Sequence, residues 1–508
     1  MPKTNLNIDV LGSSLHISVE EEPEYLNRLL ELYKQKLEET RKNTGLTDSL
    51  KTAILTGFIL YDELEKARQT AQEIVIQETE YKLEEAESLT LKLISQLDEI
   101  LENKSKVFKL KNTIKNYDWG SPDWIPKLLD EINEEKIPFA ELWMGVHPEG
   151  PSEIISQDGT ESFPLPALIA EDPPLYLGEE GARNFGSLPF LFKILAAAKP
   201  LSIQAHPNST QAREGWEREN RYGIDHKSPS RNYKDPNHKP EILCALSPFT
   251  VMVGFRQKDE IKSLLEDFLE NTHSLLKAAM APLFYALEEA ENPLKAFLLR
   301  LFQLPLEVIE ALGNHAAHRI NDKEQEEIKN EWMYIADFAE KYPGDPAIIA
   351  PLYLNLIDLN PGEAIYLPAG ILHSYIYGLG IELMANSDNV LRGGLTSKHM
   401  DLDELFNIIN FNSYIPSIIK ETGDSFFHYP VPCQEFSLSV IHGGELVYPE
   451  TGPSIVLVTR GELSIRGKGH EILLKKGESA FIAVGNGDLI FDGDYTVYLA
   501  GIGLNQDI

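Results

Sequence analysis

Apolar and polar residues alternate twice at the start of the chain. Leu6, Ile8 and Val10, then Leu15, Ile17 and Val19, follow the period of two of half-buried strands. Gly12-Ser13-Ser14 supplies a turn between them, so the pattern predicts a β-hairpin. From about Glu24 the period lengthens, with Leu26, Leu29, Leu30, Tyr33 and Leu37 recurring on one side of a helix that Asn43-Thr44-Gly45 closes with a glycine C-cap. Thr47 or Asp48 caps a second helix. It carries Leu50, Ile54, Gly57, Tyr61, Leu64, Ala67, Ala71 and Ile74, with Tyr81 a heptad further on, and is expected to run toward Leu101. A hairpin alone is marginal, and about one hundred residues do not bury such a helix. The seam therefore points to self-association ahead of an intramolecular helical hairpin.

After Asn103-Lys104-Ser105 the texture changes to short apolar runs broken by Pro and Gly, the mark of a β-rich domain. Pro361-Gly362 opens a strand through Ile365-Tyr366-Leu367 into Pro368-Ala369-Gly370 and His373. This spacing is similar to the second motif of a cupin barrel, with Tyr377 where an Asn often stands. Lys476-Gly477-Glu478-Ser479-Ala480-Phe481-Ile482 repeats the strand, but Ala483, Gly485 and Asp488 take the places of Pro368, Gly370 and His373, so a second barrel without its ligand is expected. Between them, from about Gln257 to Tyr342, the period is helical: Ile261, Leu264, Leu265 and Phe268, then Leu283 to Ala290, Phe297 to Leu301, and Ile328 to Phe338. The expected fold class is mainly β with α: tandem cupin (jelly-roll) barrels, a helical inserted domain, and an N-terminal β-hairpin plus coiled-coil helix. The expected boundaries are 1–103 for the oligomerisation module, 104–256 plus 346–424 for the metal-binding domain, 257–345 for the helical insert and 425–508 for the metal-free domain.

Composition narrows the function. With 508 residues, 43% of them hydrophobic, the chain can build several cores. A formal net charge of -33 argues against a nucleic-acid surface, which needs clustered Lys and Arg. An anionic substrate would need a local basic pocket. Cys244 and Cys433 form neither a disulfide framework nor a thiolate metal site, and no signal-peptide core or bilayer-spanning run is evident, so a cytoplasmic protein without membrane partners is expected.

The chemistry gathers at Gln204, His206, Glu241 and His373. Gln204 and His206 stand two apart, which on a strand puts both on one face, and the other two can join them only through the tertiary fold. Any one of these histidines alone reads as a buried, hydrogen-bonded structural residue. Together, Gln-x-His, Pro-Glu and Pro-x-Gly-x-x-His point to a divalent metal held by nitrogen and oxygen, a donor set open to zinc, manganese, iron, cobalt or nickel.

The motifs Asn116-Tyr117-Asp118-Trp119-Gly120, Glu141-Leu142-Trp143-Met144-Gly145, Leu188-Pro189-Phe190-Leu191-Phe192-Lys193, Gln204-Ala205-His206-Pro207, His238-Lys239-Pro240-Glu241 and Glu382 through Thr396 follow one another in order. Over residues 106–508 the chain resembles the type I mannose-6-phosphate isomerase family. The resemblance implies one Zn2+ per chain on Gln204, His206, Glu241 and His373, and Arg392 as the catalytic arginine. The implied reaction interconverts D-mannose 6-phosphate and D-fructose 6-phosphate through an enediol and feeds GDP-mannose metabolism. Lys239, one residue from Glu241, and Glu382 are candidates for moving the proton, beside a metal-bound water. Ser202 and Lys398 suit the substrate phosphate, while His147, His238 and His399 read as structural or rim residues. Residues 4–75, with Arg41-Lys42-Asn43-Thr44-Gly45-Leu46 through Ala53-Ile54-Leu55, resemble the ZapA family of cell-division proteins, which implies a homo-oligomer and a division-protein partner. Two rivals stand beside this reading. One is another cupin enzyme, such as a glucose-6-phosphate isomerase or oxygenase, against which Gln204 and Arg392 argue. The other is a non-catalytic sugar-phosphate-binding cupin whose coiled coil gives an assembly role.

Overall fold

The computed structural model describes residues 4–10, 13–19, 21–71, 106–156, 159–322, 329–468 and 470–503. Strands Thr4–Val10 and Ser13–Val19 pair antiparallel, Leu6 opposite Ile17 and Ile8 opposite Leu15. The helix Pro23–Thr44 starts on a proline, whose missing N–H costs nothing in the first turn, and ends at Gly45, left-handed at φ 68°. A second helix, Ser49–Ala71, packs on it and buries Thr52, Thr56 and Gly57. Of the stripe that the sequence marks as a seam, Gly57 is buried and Leu50 and Leu64 are half-buried, but its other large members among the described residues are not. Ile54 is 42% exposed, Tyr61 44%, and Phe58 beside them 72%. The predicted run through Ile74 and Tyr81 toward Leu101 lies outside the described residues.

Two large antiparallel sheets follow. In the first, Ile418–Lys420, Glu363–Leu367, Glu241–Ala245, His373–Ala385, Phe190–Ala197, Glu141–Gly145 and Thr113–Lys115 lie side by side. Glu241–Ala245, Phe190–Ala197 and Glu141–Gly145 are buried on both faces, and alternation divides the residues of the central strands between two cores. Leu142, Met144, Phe192, Ile194, Ile242, Cys244, Ile381 and Leu383 pack against Phe436, Val440, Ile455, Leu457 and Phe481 of the second sheet. Leu195, Leu243, Ala245, Ile365 and Leu367 line the other face. Glu141, Lys193, Glu241 and Glu382 share the parity of this second set, so the strands that bind the sheets together also drive these charged groups to the opposite face.

The strand His373–Ala385 changes partners along its length. Its first arm pairs with Phe249–Phe255, and its second with Phe190–Ala197 and Glu241–Ala245. The corner falls at Gly378, with φ 141° and space for no more, since a Cβ there would lie 2.5 Å from the Phe249 ring. The hairpin Phe249–Phe255 and Leu354–Leu359 brackets the helical segment. Its helices Lys258–Phe268, Ser274–Glu289, Pro293–Leu301, Leu306–Asp322 and Asn330–Lys341 bury one core with Ile203, Ala205, Leu372 and Leu391, residues adjoining the expected ligands.

The second sheet runs Phe426–Tyr429, Ser437–His442, Tyr495–Gly501, Ser454–Gly467, Ser479–Ile482, Val107–Lys111, Glu153–Ile155 and Ser162–Pro164. The last three come from the stretch expected within 104–256, so the expected boundary does not follow the sheets. Val107–Lys111 pairs with Ser479–Ile482, Phe108 opposite Phe481, and covers an edge that would otherwise stay open. The strand grammar repeats in backbone form: Gly362 and Gly370 have φ 86° and 76°, and Gly477 and Gly485 have 85° and 86°. Val456, Leu463, Ile465, Ile482, Leu489 and Phe491 fill a second apolar core, while Asp488, at the place of His373, is exposed. Among the described residues no helix is long and apolar enough to cross a membrane.

Phe192 is fully buried between the sheets. Phe192→Ala is expected to destabilise the chain by about 3–5 kcal/mol, read as a lowered urea midpoint against the unsubstituted protein.

Candidate active site

Strand register assembles the first part of the site. Gln204, on the two-residue strand Gln204–Ala205, pairs with His373 on one side and with Arg392 on the other. Residues directly opposite across antiparallel strands point to the same face, so these three side chains stand in a row. The Gln204 amide reaches to 3.4 Å from His373 Nε2 through its nitrogen, and a half-turn of the amide puts Oε1 there instead. Glu241 enters from the neighbouring sheet region. Its Oε1 lies 3.4 Å from His206 Nε2 and its Oε2 3.4 Å from His373 Nε2.

Both imidazoles have used their other nitrogen. His206 Nδ1 is 2.7 Å from the Asn389 carbonyl and His373 Nδ1 is 2.9 Å from the Ile371 carbonyl. A carbonyl only accepts, so each Nδ1 carries the proton and each Nε2 presents a lone pair. Among buried atoms without a hydrogen-bond partner are His206 Nε2 and both Glu241 carboxylate oxygens. Ligand atoms of His206, Glu241 and His373 lie within 4.8 Å of one another, and among the described residues this is the only such group of three or more. Unsatisfied acceptors converging in a buried space, with an amide oxygen in reach and no thiolate, fit a divalent cation.

The surrounding charges are arranged around this cluster. Lys239 Nζ lies 3.2 Å from Glu241 Oε1. Burial alone would raise the Glu241 pKa, yet the Lys239 ammonium beside it holds it well below the usual carboxylate value. Glu382 is ion-paired to Lys193 at 2.7 Å, and Lys193 also faces Glu141 at 3.6 Å. Trp143 Nε1 donates to Glu141 at 2.7 Å. Burial opposes the charge on Lys193, but the carboxylates of Glu141 and Glu382 raise its pKa overall. Lys193 and Glu141 sit inside the motifs but carry no role in the sequence reading. Their parity with Glu241 was the available signal, and it needs the strand register to be read.

A second group is cationic. Burial lowers the Arg392 pKa, its Nε is buried without an acceptor, and no carboxylate forms an ion pair with it among the described residues. Lys398 is lowered by partial burial and then by Arg392 and Lys234, so three cations crowd one region. Lys398 stands 6.0 Å over the Tyr117 ring, and Ser202 is half-buried two residues before Gln204. Lys234 was not singled out by the sequence, where it reads as one exposed lysine among many. Asp388 faces His147 at 3.5 Å; burial resists its charge, but His147, Lys234 and Lys239 bring it down to about 2. His238 bonds Glu435 of the second sheet region at 2.6 Å, and His399 is exposed.

Comparison with known proteins agrees with this layout. Residues 107–258 match the model of the phosphomannose isomerase type I catalytic domain, and residues 6–113 match that of cell division protein ZapA. Mannose-6-phosphate isomerase of Salmonella typhimurium is 39% identical over 379 residues, covering 74% of this chain and 94% of the relative. That of Escherichia coli K12 is 38% identical over 390 residues, covering 76% and 97%. A zinc-bound mannose 6-phosphate isomerase crystal structure superposes with a TM-score of 0.71 at 34% identity, over 78% of this chain and 100% of that one.

Burial lowers His206 from its ordinary 6.5 to about 4, with Glu241 opposing and Lys239 and His373 adding to the fall. The unfolded chain then takes up a proton at a pH where the folded one does not. The stability that His206 contributes is complete above pH 6.5 and is lost as pH falls toward 4, by roughly 3 kcal/mol in all. Scanning calorimetry of the metal-free chain at pH 7 and 4.5 is expected to show a fall in Tm that is smaller in His206→Asn.

Proposed function

The chain belongs to the type I mannose-6-phosphate isomerase family and is an isomerase, and from this premise we propose a zinc-dependent interconversion of D-mannose 6-phosphate and D-fructose 6-phosphate on the site described. The observation that carries the reading is the buried set of unpartnered acceptors on His206 and Glu241, with His373 and Gln204 beside them and an uncompensated Arg392 next in the row. On this reading Gln204, His206, Glu241 and His373 hold one Zn2+ in the first of two cupin barrels. Bound zinc supplies Lewis-acid polarisation of a substrate oxygen.

The isomerisation moves a proton from C2 of the aldose to C1 of the ketose and the hydroxyl proton from O2 to O1, passing through an enediol. Arg392 is the proposed stabiliser of the negative charge that develops on the substrate oxygens. Its guanidinium remains charged, offers a fork of donors and, among the described residues, has no carboxylate ion-paired to it. Lys239 and Glu382 are the side chains proposed to move the C2 proton. Ion pairs with Glu241 and Lys193 fix their positions. Lys398 and Ser202 are proposed to take the phosphate, with Lys234 close enough to add its charge. A local cation group of this kind answers the repulsion that a chain of net charge -33 presents to a sugar phosphate.

The N-terminal segment is proposed to assemble copies of the chain, and through its ZapA likeness to meet a division protein in the cytoplasm. The likeness and the exposed Ile54, Phe58 and Tyr61 on one helix support this, because a solvated apolar stripe is stabilised by a partner.

A coupled assay of mannose 6-phosphate conversion is expected to show turnover that a chelator abolishes and zinc restores; no turnover after zinc repletion would remove the proposal. Arg392→Ala should lower kcat by about 10²–10³ with zinc content unchanged, whereas His373→Ala should lose the metal. For the assembly role, a chain beginning at Lys104 should elute as a smaller species than the full chain on size-exclusion chromatography. Equal subunit numbers in the two would sink it.

A further inference from the structure

Asn389 is fully buried, and its amide is spent on a single loop. Oδ1 accepts from the Lys234 and Asp235 backbone N–H groups at 2.7 and 3.3 Å. Nδ2 donates to the Asp235 and Asn237 carbonyls at 2.8 and 2.9 Å and approaches Asp235 Oδ1 at 3.3 Å. The residues before it reinforce the same junction. Asp388 N–H bonds Asp235 Oδ2 at 2.7 Å, Ser387 Oγ donates to the Asn237 carbonyl at 3.1 Å, and the Asn389 N–H reaches Ser387 Oγ at 3.2 Å. Residues 234–237 and 387–389 are thereby interlocked.

What leaves this junction is as informative as what forms it. The first segment runs on through His238 and Lys239 into Glu241. The second carries the Asn389 carbonyl, which receives His206 Nδ1 at 2.7 Å, and continues to Arg392. An imidazole that donates to one fixed carbonyl has its tautomer, ring plane and lone-pair direction set by where that carbonyl sits. A buried primary amide suits the task because it offers two donors and an acceptor with two lone pairs, and here each side of the amide is used. An aspartate would keep the two acceptor contacts but set a carboxylate against the Asp235 and Asn237 carbonyls in a buried space.

We propose that Asn389 is a positioning residue for the metal: by fastening its own carbonyl to the Lys234–Asn237 loop it orients His206 and sets the zinc affinity of the cluster. This rests on the reading that His206, Glu241 and His373 hold zinc. The test compares the full chain with Asn389→Asp and with Ser387→Ala, a milder cut of the same junction that remains usable where the first does not fold. Zinc affinity is measured on metal-free protein by competition with a chromophoric chelator, well below the melting temperature of each metal-free variant. The expected weakening is about 10–100-fold for Asn389→Asp and a smaller weakening in the same direction for Ser387→Ala. A purely structural role would lower the melting temperature and leave the affinity of the folded fraction unchanged. Affinity within about twofold of the unsubstituted chain in whichever variants fold overturns the proposal. An unsubstituted chain that binds no zinc overturns the metal reading itself.

Discussion

The fully buried Glu241 carboxylate, with no hydrogen-bond donor on either oxygen, is the constraint around which the site is built. Taking such a charge out of water costs several kcal/mol unless it is paired. The Lys239 ammonium offsets part of that cost, yet the two imidazoles opposite turn lone pairs toward the carboxylate because their N–H groups are engaged elsewhere. Each Nε2 faces one Glu241 oxygen at 3.4 Å and is repelled by it, and a cation between them reverses the sign of the interaction. Glu241 cannot relieve the strain by turning away, because Ile242 and Cys244 beside it are locked into the core between the sheets.

The fold supplies this constraint from several directions. The corner at Gly378 lets one strand deliver His373 beside Gln204 and Arg392 with one arm, and Glu382 beside Lys193 with the other. The helical segment packs behind Ile203, Ala205, Leu372 and Leu391, holding the ligand-bearing strands from the side. The second sheet presses on the back of Glu241–Ala245 and lends Glu435 to His238, three residues before Glu241. A region with no metal cluster of its own among the described residues therefore still acts on the geometry of the one that has it.

Charge is distributed on two scales. The chain as a whole is strongly acidic, which sets solubility and long-range repulsion. Around Lys398, partial burial first and then Arg392 and Lys234 depress the ammonium, an arrangement that costs free energy in the absence of an anion. The proposed phosphate subsite accounts for that cost. In the same way, the exposed Ile54, Phe58 and Tyr61 on the helix Ser49–Ala71 are an unfavourable surface in water, which the proposed assembly accounts for.

Much of this was legible along the sequence. Period-two alternation found the N-terminal hairpin, the change to a period of three and four found the helix closed by Gly45, and the Gly-x5-Pro-x-Gly-x2-His spacing found the turn before His373 along with its unliganded repeat near Asp488. These are local properties, fixed by side-chain direction and backbone freedom, and the order of motifs marked out His206, Glu241 and His373, which the fold brings together with Gln204 beside His373. Other features were decided only in three dimensions. Whether Glu382 turns to the face of Glu241 or into the core between the sheets depends on its register against Lys193; the Arg392 charge is unspent because, among the described residues, no carboxylate was folded beside it; and Val107–Lys111 joins the second sheet because an edge more than three hundred residues away needed covering. The sequence by itself determined which groups were available and what local conformations they would take. The tertiary structure decided which of them share a face and which remain unpaired, because pairing and burial depend on strand register between segments far apart in the chain.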